Sequence, residues 1–239
     1  MLIQAAINGT RKKGEHPALP VSPEEMARFA AECVAAGAGA IHLHVRGADG
    51  GESLAAGEVA RTVDGVRARV GEVAIGVSTG AWILRDVRRR LEAVGAWTVL
   101  PDMASVNFSE EGSVELARRL VERGMGVEAG LFDAEAAEIL AASGLAGRCL
   151  RILLEPSGAT TEAALGNLSG IEEVLDRAGV LLPRLLHGLG ATAWPLIDVA
   201  IARGYDTRVG LEDTLRLPDC SLAPSNAALV AATFARCGR

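Results

Sequence analysis

The sequence is short of positive charge. Its 239 residues include 24 lysines and arginines against 30 aspartates and glutamates, which gives a net charge of −6. Proteins that bind nucleic acid in general display a basic patch or stripe on their surface. The charge balance therefore argues against a general nucleic-acid binder.

Long apolar runs, export signals and paired cysteines are also missing. No apolar stretch reaches the roughly 18 residues of a transmembrane helix, and Met1-Leu-Ile-Gln4 lacks the basic start and cleavage site of a signal peptide. The four cysteines (Cys33, Cys149, Cys220 and Cys237) are scattered without CxxC spacing, so we expect reduced thiols. These features predict a cytoplasmic protein without a membrane partner.

What the sequence does contain is a regular alternation of strands and helices. The apolar fraction of 49% is enough for a large core. Eight apolar strands are predicted at 2–7, 40–46, 73–77, 97–106, 125–129, 149–154, 184–187 and 207–211. A helix follows each strand, at 22–36, 57–70, 83–94, 113–123, 134–142, 162–178, 194–202 and 225–236. The helix at 162–178 contains Gly170, a residue that could break it.

Strict βα alternation predicts a parallel sheet, and eight such units close naturally into a TIM barrel. We therefore expect a single α/β domain, a (β/α)8 TIM barrel over residues 1–239. The alternative is an open doubly wound sheet. No GxGxxG motif follows the first strand to favour it.

Two histidines stand in the second predicted strand, Ala40-Ile-His-Leu-His-Val-Arg46. Side chains alternate between the two faces of a strand, so His42 and His44 point the same way. Loop residues from Gly47 onward place both histidines near the carboxyl end of the strand. Two imidazoles on one face of a strand end form half of a metal site.

The barrel hypothesis predicts where the other half lies, because TIM-barrel active sites form at the carboxyl ends of the strands. The unusual polar residues at those ends are Asn8, Ser78, Thr79, Ser105, Asn107, Glu128, Arg208, Glu212 and Asp213. Strands two and eight supply residues to the same interior layer, so His42, His44 and Glu212 can converge. Two histidines and one carboxylate with an open position suit catalytic Zn²⁺, and a non-haem Fe(II) site uses the same ligands.

Several motifs of the chain resemble those of the β-keto acid cleavage enzymes, which are typified by the 3-keto-5-aminohexanoate cleavage enzyme of lysine fermentation. The motifs are Asn8-Gly9, His16-Pro-Ala-Leu-Pro-Val-Ser-Pro-Glu24, Gly39-Ala-Ile-His-Leu-His-Val-Arg46 with Asp49-Gly50, Ser78-Thr-Gly80, Arg208-Val-Gly-Leu-Glu-Asp213 and Pro224-Ser-Asn-Ala227. They span nearly the whole chain. The resemblance implies a zinc-dependent TIM-barrel transferase, generally a homotetramer. Such an enzyme condenses a β-keto acid with acetyl-CoA, giving acetoacetate and a new acyl-CoA by retro-Claisen cleavage.

The same resemblance implies roles for individual residues. His42, His44 and Glu212 would be the zinc ligands. Arg208 would pair with the substrate carboxylate and Asp213 would act as the base. Ser78 would help to hold the substrate, and Glu128 would lie in the pocket near the acyl-CoA end.

The residues themselves leave other interpretations open. Glu212 could be a buried partner of Arg208, Asp213 could cap the following turn, and Ser78-Thr79-Gly80 could be a plain turn. Arg11, Lys12 and Lys13, or the turn Gly188-Leu-Gly190, could contact CoA phosphates or could be ordinary loop residues. Two other functions also remain: a metal-dependent barrel lyase or aldolase that needs no CoA, and a barrel whose zinc is only structural.

Overall fold

The computed structural model describes residues 1–238, and its eight strands close into one parallel barrel in sequence order. The strands are β1 Ile3–Ala6, β2 Ala40–Leu43, β3 Ala74–Ser78, β4 Met103–Asn107, β5 Gly126–Leu131, β6 Arg151–Leu154, β7 Arg184–Leu186 and β8 Asp206–Val209. The helices are α1 Pro23–Ala35, α2 Ala56–Val70, α3 Val87–Gly95, α4 Ser113–Glu122, α5 Ala134–Ala142, α6 Thr161–Arg177, α7 Ala193–Arg203 and α8 Asn226–Arg236. The predicted (β/α)8 TIM barrel is confirmed. Arg239, the last residue of the predicted domain, lies outside the described residues.

The helix signals in the sequence act as expected at several ends. Ser22 caps α1: its hydroxyl accepts from the backbone N–H of Glu25, and the Glu25 carboxylate accepts from the N–H of Ser22. This reciprocal capping box satisfies donors that would otherwise have no partner at the helix start. The side chains of Asp133 and Ser225 cap α5 and α8 by accepting from the backbone N–H groups of Ala136 and Ala228.

In three elements, local residues explain where the structure departs from the predicted pattern. Strand β4 begins only at Met103, because Pro101 lacks the N–H that a strand ladder needs. Helix α3 begins at Val87, because the Asp86 side chain caps it there and residues 81–83 form a turn instead of the first helical residues. Helix α6 runs unbroken through Gly170, since one glycine weakens a helix by only ~1 kcal/mol.

A close backbone approach closes the barrel between β1 and β8. Gln4 pairs with Arg208 in this parallel register. One residue beyond β8, a Cβ on Gly210 would overlap the carbonyl oxygen of Ala6 and lie 2.9 Å from its nitrogen. Glycine is therefore required at 210, and the chain that carries Glu212 passes directly over the end of β1.

In residues 1–238, no helix combines the length and the apolar character needed to cross a membrane.

Candidate metal centre and active site

Three side chains that can bind a metal meet at the mouth of the barrel. His42, His44 and Glu212 each offer one ligand atom, and these atoms all lie within 4.8 Å of one another. His42 Nε2 is 3.7 Å from one oxygen of Glu212, and His44 Nε2 is 3.4 Å from the other. The structure thus brings together the two halves of the predicted site.

The ends of β1 and β2 hold His44 in place. Asn8, one residue beyond Ile7, is buried and forms two hydrogen bonds with the backbone of His44. Its amide nitrogen donates to the His44 carbonyl, and its oxygen accepts from the His44 N–H, both at 2.9 Å. His44 lies just beyond the last residue of β2, so Asn8 takes over from the strand ladder in fixing it.

Glu52 orients the ring of His44 from the other side. The Glu52 carboxylate lies 2.5 Å from His44 Nδ1 and also accepts a hydrogen bond from Trp82 Nε1 at 3.1 Å. The Trp82 ring stacks on His44, with ring centroids 6.1 Å apart. A carboxylate on the far nitrogen of a histidine ligand fixes its tautomer and orientation. Sequence reasoning missed Glu52, because it lies in a loop eight residues beyond His44.

A left-handed glycine makes room for Glu212. Gly9 has φ +58°, and a Cβ there would overlap Cγ of Glu212 and lie 3.0 Å from its Cδ. Because Gly9 has no side chain, the Glu212 side chain can occupy this space and reach the two histidines.

Buried charges set the protonation of the three candidate ligands. Burial lowers the pKa of His42 to about 3, so this ring is neutral. Burial also opposes the charge on His44, but the carboxylates of Glu212 and Glu52 outweigh it and raise its pKa to about 9. Burial opposes the charge on Glu212 too, yet Arg208 and the two histidines hold the pKa of its carboxyl well below the usual value.

These residues fit a divalent metal. Glu212 Oε2, which faces His42 Nε2, is buried without a hydrogen-bond partner, and buried polar atoms normally have one. A cation would replace the proton that His44 holds between two carboxylates, because metal ligands bind in their deprotonated forms. Two imidazoles and a carboxylate are the donors of catalytic zinc sites.

Asp213 and Arg208 form a buried ion pair beside this cluster. Arg208 Nη2 lies 2.7 Å from Asp213 Oδ1 and 3.0 Å from Glu212 Oε1. Burial opposes the charge on Arg208, but Asp213, Glu212 and Glu155 outweigh it and raise its pKa. Asp213 Oδ2 and Arg208 Nε are both buried without a hydrogen-bond partner, so each retains one polar atom for a ligand.

Two further residues, Glu155 and His187, complete this side of the mouth, and the sequence alone indicated no site role for either. His187, directly after β7, is fully buried, with Nε2 3.0 Å from Glu155 Oε2 and Nδ1 3.4 Å from Asp213 Oδ1. Burial and Arg208 lower the pKa of His187, but Asp213 and Glu155 outweigh them and raise it. The signal available in the sequence was position, since both residues follow the ends of strands, β6 and β7.

Ser78 and Glu128 occupy different depths of the barrel. Ser78 is buried at the carboxyl end of β3, next to the strand that carries His42. Glu128 lies in the middle of β5 and is fully buried, where Gln4 Nε2 donates to it at 2.8 Å and Arg151 Nε at 3.0 Å. Gln4 and Arg151, the two partners of Glu128, are themselves buried.

A separate cavity of about 620 Å³ lies beside the loop that follows β8. Arg11, Gly190, Trp194 and Arg216 are among its lining residues. Arg11 donates to the carbonyl oxygens of Leu211 and Glu212, so it also supports the metal-binding segment. Lys12 and Lys13, its neighbours in the sequence, are exposed.

Comparisons with known proteins show a family match. The sequence matches the model of the beta-keto acid cleavage enzyme family over residues 1–238. A 3-oxoadipate:acetyl-CoA acetyltransferase of Cupriavidus necator is 29% identical over 260 residues, covering 99% of this chain and 88% of that protein. A 3-keto-5-aminohexanoate cleavage enzyme of Fusobacterium nucleatum is 28% identical, covering 96% of this chain and 88% of that one.

The fold also resembles solved structures of ObcA. A ternary complex of ObcA with a C4-CoA adduct and oxalate has a TM-score of 0.73 at 18% identity. The apo structure of ObcA has a TM-score of 0.70 at 19% identity. The match covers 92% of this chain but only 62% to 64% of ObcA, so these likenesses establish the shared barrel.

Proposed function

The chain belongs to the β-keto acid cleavage enzyme family, and we propose that it is a zinc-dependent acyltransferase that condenses a β-keto acid with acetyl-CoA. The products are acetoacetate and a new acyl-CoA. The acetyl-CoA acetyltransferase among the relatives and the CoA adduct bound by ObcA support this choice of co-substrate. The observation that carries the proposal is the cluster of His42, His44 and Glu212 next to Asp213.

We assign His42, His44 and Glu212 as the zinc ligands. Among the described residues the cluster contains three side chains, which favours a catalytic site with an open position over a closed structural one. When bound, Zn²⁺ acts as a Lewis acid that polarises the keto oxygen of the substrate. Glu52 keeps the His44 ring aimed at the metal through Nδ1.

Asp213 is the base. Arg208 binds its Oδ1, which leaves Oδ2 buried and without a hydrogen-bond partner. Oδ2 takes a proton from the carbon that lies between the keto and carboxyl groups of the substrate. Arg208 Nε is the donor left for the substrate carboxylate, and the Ser78 hydroxyl at the end of β3 helps to hold the substrate.

The bonds balance with one proton shuttled by Asp213. The deprotonated carbon attacks the carbonyl carbon of the acetyl group, and the CoA thiolate leaves. The thiolate then attacks the original keto carbon, and the bond between that carbon and the newly acetylated carbon breaks. Asp213 returns its proton to the acetylated carbon, which becomes acetoacetate, while the rest of the β-keto acid leaves as acyl-CoA.

The cavity beside the loop after β8 is the proposed place for acetyl-CoA. Its volume of about 620 Å³ exceeds the volume of about 220 Å³ of the cavity at the carboxyl ends of β6 and β7. Arg216 and Arg11 supply positive charge for phosphates, and the Trp194 ring supplies an apolar wall. The cavity adjoins Thr214, the residue after Asp213, so a thioester arm lying in it leads to the base.

Cellular location and assembly belong to the same proposal. A reaction that consumes acetyl-CoA fits the cytoplasm, and the scattered cysteines suit a reducing compartment. We propose a homotetramer, as the resemblance to the family implies. Sedimentation of the purified protein tests the tetramer directly.

A substrate screen tests the proposed reaction. Purified protein receives acetyl-CoA and a panel of β-keto acids with and without a chelator, and acyl-CoA products are identified by mass. The expected result is a chelator-sensitive new thioester that His42→Ala and Glu212→Ala abolish. Asp213→Asn removes the proposed base. Its control is Asp219→Asn, the same change at an exposed position in the loop that follows Asp213. Cleavage without a thioester would instead identify a CoA-independent lyase.

A further inference from the structure

A second cavity at the mouth opens beside the base and plays no part in the mechanism above. It has a volume of about 220 Å³ and lies at the carboxyl ends of β6 and β7. Its walls include the apolar side chains of Phe132, Pro156 and Leu189, and its polar groups include Glu155 and His187. With ~30 Å³ per water in the liquid, this space suits a substituent of a few heavy atoms.

The cavity is connected to the reacting centre through its polar groups. His187 Nδ1 lies 3.4 Å from Asp213 Oδ1, and Glu155 Oε2 lies 3.8 Å from Arg208 Nη2. A substrate bound beside Asp213 would therefore extend its substituent toward the end of β6. This cavity is therefore lined by two residues, His187 and Glu155, that lie next to the base and its arginine.

The two hydroxyl groups of the cavity, on Thr192 and Ser157, already form hydrogen bonds within their own loops. Thr192 Oγ1 accepts from the N–H of Leu189 and lies 3.0 Å from its carbonyl oxygen. Ser157 Oγ donates to the carbonyl of Phe132 and accepts from the Asn167 amide. Neither hydroxyl can donate to a ligand without breaking a loop contact, and Glu155 and His187 are the charged or titratable groups in the cavity that can receive a polar group.

Glu155 is held so that one oxygen remains open. Its Oε2 faces His187 Nε2 at 3.0 Å, while its Oε1 stands over Gly130 of β5, 3.0 Å from where a Cβ would lie. Both ring nitrogens of the fully buried His187 lack a hydrogen bond of good geometry. Such contacts often align only when a ligand is bound, and a carboxylate can only accept hydrogen bonds.

We propose that the cavity formed by Glu155 and His187 with the apolar wall of Phe132, Pro156 and Leu189 is the subsite for the substituent of the β-keto acid, and that it selects a short substituent carrying a hydrogen-bond donor, a hydroxyl or an ammonium group. This inference rests on the proposed function. A hydrocarbon substituent would cover Glu155 Oε1 without offering it a hydrogen bond, which is unfavourable for a buried polar atom. A carboxylate would face the Glu155 carboxylate at close range.

Four β-keto acids of similar size test the selection. They are 3-oxohexanoate, 5-hydroxy-3-oxohexanoate, 5-amino-3-oxohexanoate and 3-oxoadipate, each supplied with acetyl-CoA to the zinc-loaded enzyme. We expect kcat/KM for 5-hydroxy-3-oxohexanoate or 5-amino-3-oxohexanoate to exceed that for 3-oxohexanoate by about tenfold to a hundredfold. A preference for 3-oxohexanoate or 3-oxoadipate would overturn the inference, while acyl-CoA formation would still support the proposed reaction. No acyl-CoA from any of the four would overturn both.

Two substitutions assign the effect to Glu155. Glu155→Leu should reverse the preference toward 3-oxohexanoate. Glu155→Gln keeps the shape but loses the charge, so it should lower kcat/KM for 5-amino-3-oxohexanoate more than for 5-hydroxy-3-oxohexanoate. Glu162→Gln, the same change at an exposed position of α6, should leave all four ratios unchanged. Thermal unfolding and zinc content confirm that each variant is folded. If folded Glu155→Gln keeps the wild-type ratios, Glu155 does not read the substituent.

Discussion

Replacing Gly9 with alanine should displace a metal ligand that Gly9 itself does not help to bind. Gly9 has no side chain to offer a metal, but its missing Cβ leaves the space that Glu212 occupies. In Gly9→Ala the new methyl group would overlap Cγ of Glu212 and stand 2.9 Å from its Cβ. Because Gly9 has φ +58°, the substitution also strains the backbone.

The two effects can be separated by magnitude. An alanine in the left-handed region costs about 1–2 kcal/mol of stability. Displaced support of a metal ligand typically lowers metal affinity by about 10-fold to 100-fold. Gly14 lies in the same loop with φ +96°, and a methyl group added there would meet no atom within 4 Å. Gly14→Ala therefore carries similar strain without the contact to Glu212.

Calorimetric titration with Zn²⁺ and thermal unfolding of both variants provide the comparison. We expect both variants to lose stability, Gly9→Ala more than Gly14→Ala because of its overlap with Glu212, and only Gly9→Ala to bind Zn²⁺ about 10-fold to 100-fold more weakly. Equal zinc affinity in the two variants would refute the idea that Gly9 makes room for Glu212. A Gly9→Ala protein that does not fold, beside a folded Gly14→Ala, would show that the contact with Glu212 dominates the stability loss.

Substitutions at three other positions separate metal binding, chemistry and stability. Glu52→Gln should weaken zinc binding about 10-fold to 100-fold at unchanged thermal stability, because it weakens the contact that orients His44. Unchanged zinc affinity in a titration would exclude this role of Glu52. Asp213→Asn should lower kcat by about 10²-fold to 10⁴-fold while zinc still binds, which steady-state kinetics and metal analysis can check. Glu128→Leu should destabilise the fold by about 3–5 kcal/mol in denaturant unfolding, because it leaves Arg151 without its buried partner, and a fully stable variant would contradict this.

Local patterns predicted the architecture well. The alternation of apolar strands and capped helices fixes the order of a parallel barrel, and the rule that parallel strands share their carboxyl end placed His42 and Glu212 on the same side. The spacing of His42 and His44 placed both rings on one face of β2 without any knowledge of the fold. These inferences needed only the period of a strand and the direction of the chain.

The rest of the site depends on depth and on loops, which the sequence does not show. Glu128 was expected at the mouth because it lies near the end of a predicted strand at 125–129, yet β5 continues to Leu131 and leaves Glu128 in the interior. Glu52 contacts His44 across a loop, and His187 contacts Asp213, which lies far from it in the sequence. Their roles follow from distances to His44 and Asp213, and no periodic pattern announces such distances.

The charges around the mouth explain why the metal and the substrate belong together. Four acids lie close together there, Glu52, Glu155, Glu212 and Asp213, and two buried arginines, Arg46 and Arg208, lie beside them. Burial opposes the charge on His44, but Glu212 and Glu52 raise its pKa to about 9, which favours a proton on this ring. A divalent cation that replaces this proton adds one positive charge to the mouth. The metal-loaded site therefore attracts the carboxylate of a β-keto acid, and the chelated protein should bind that acid weakly even though Asp213 and Arg208 are still in place.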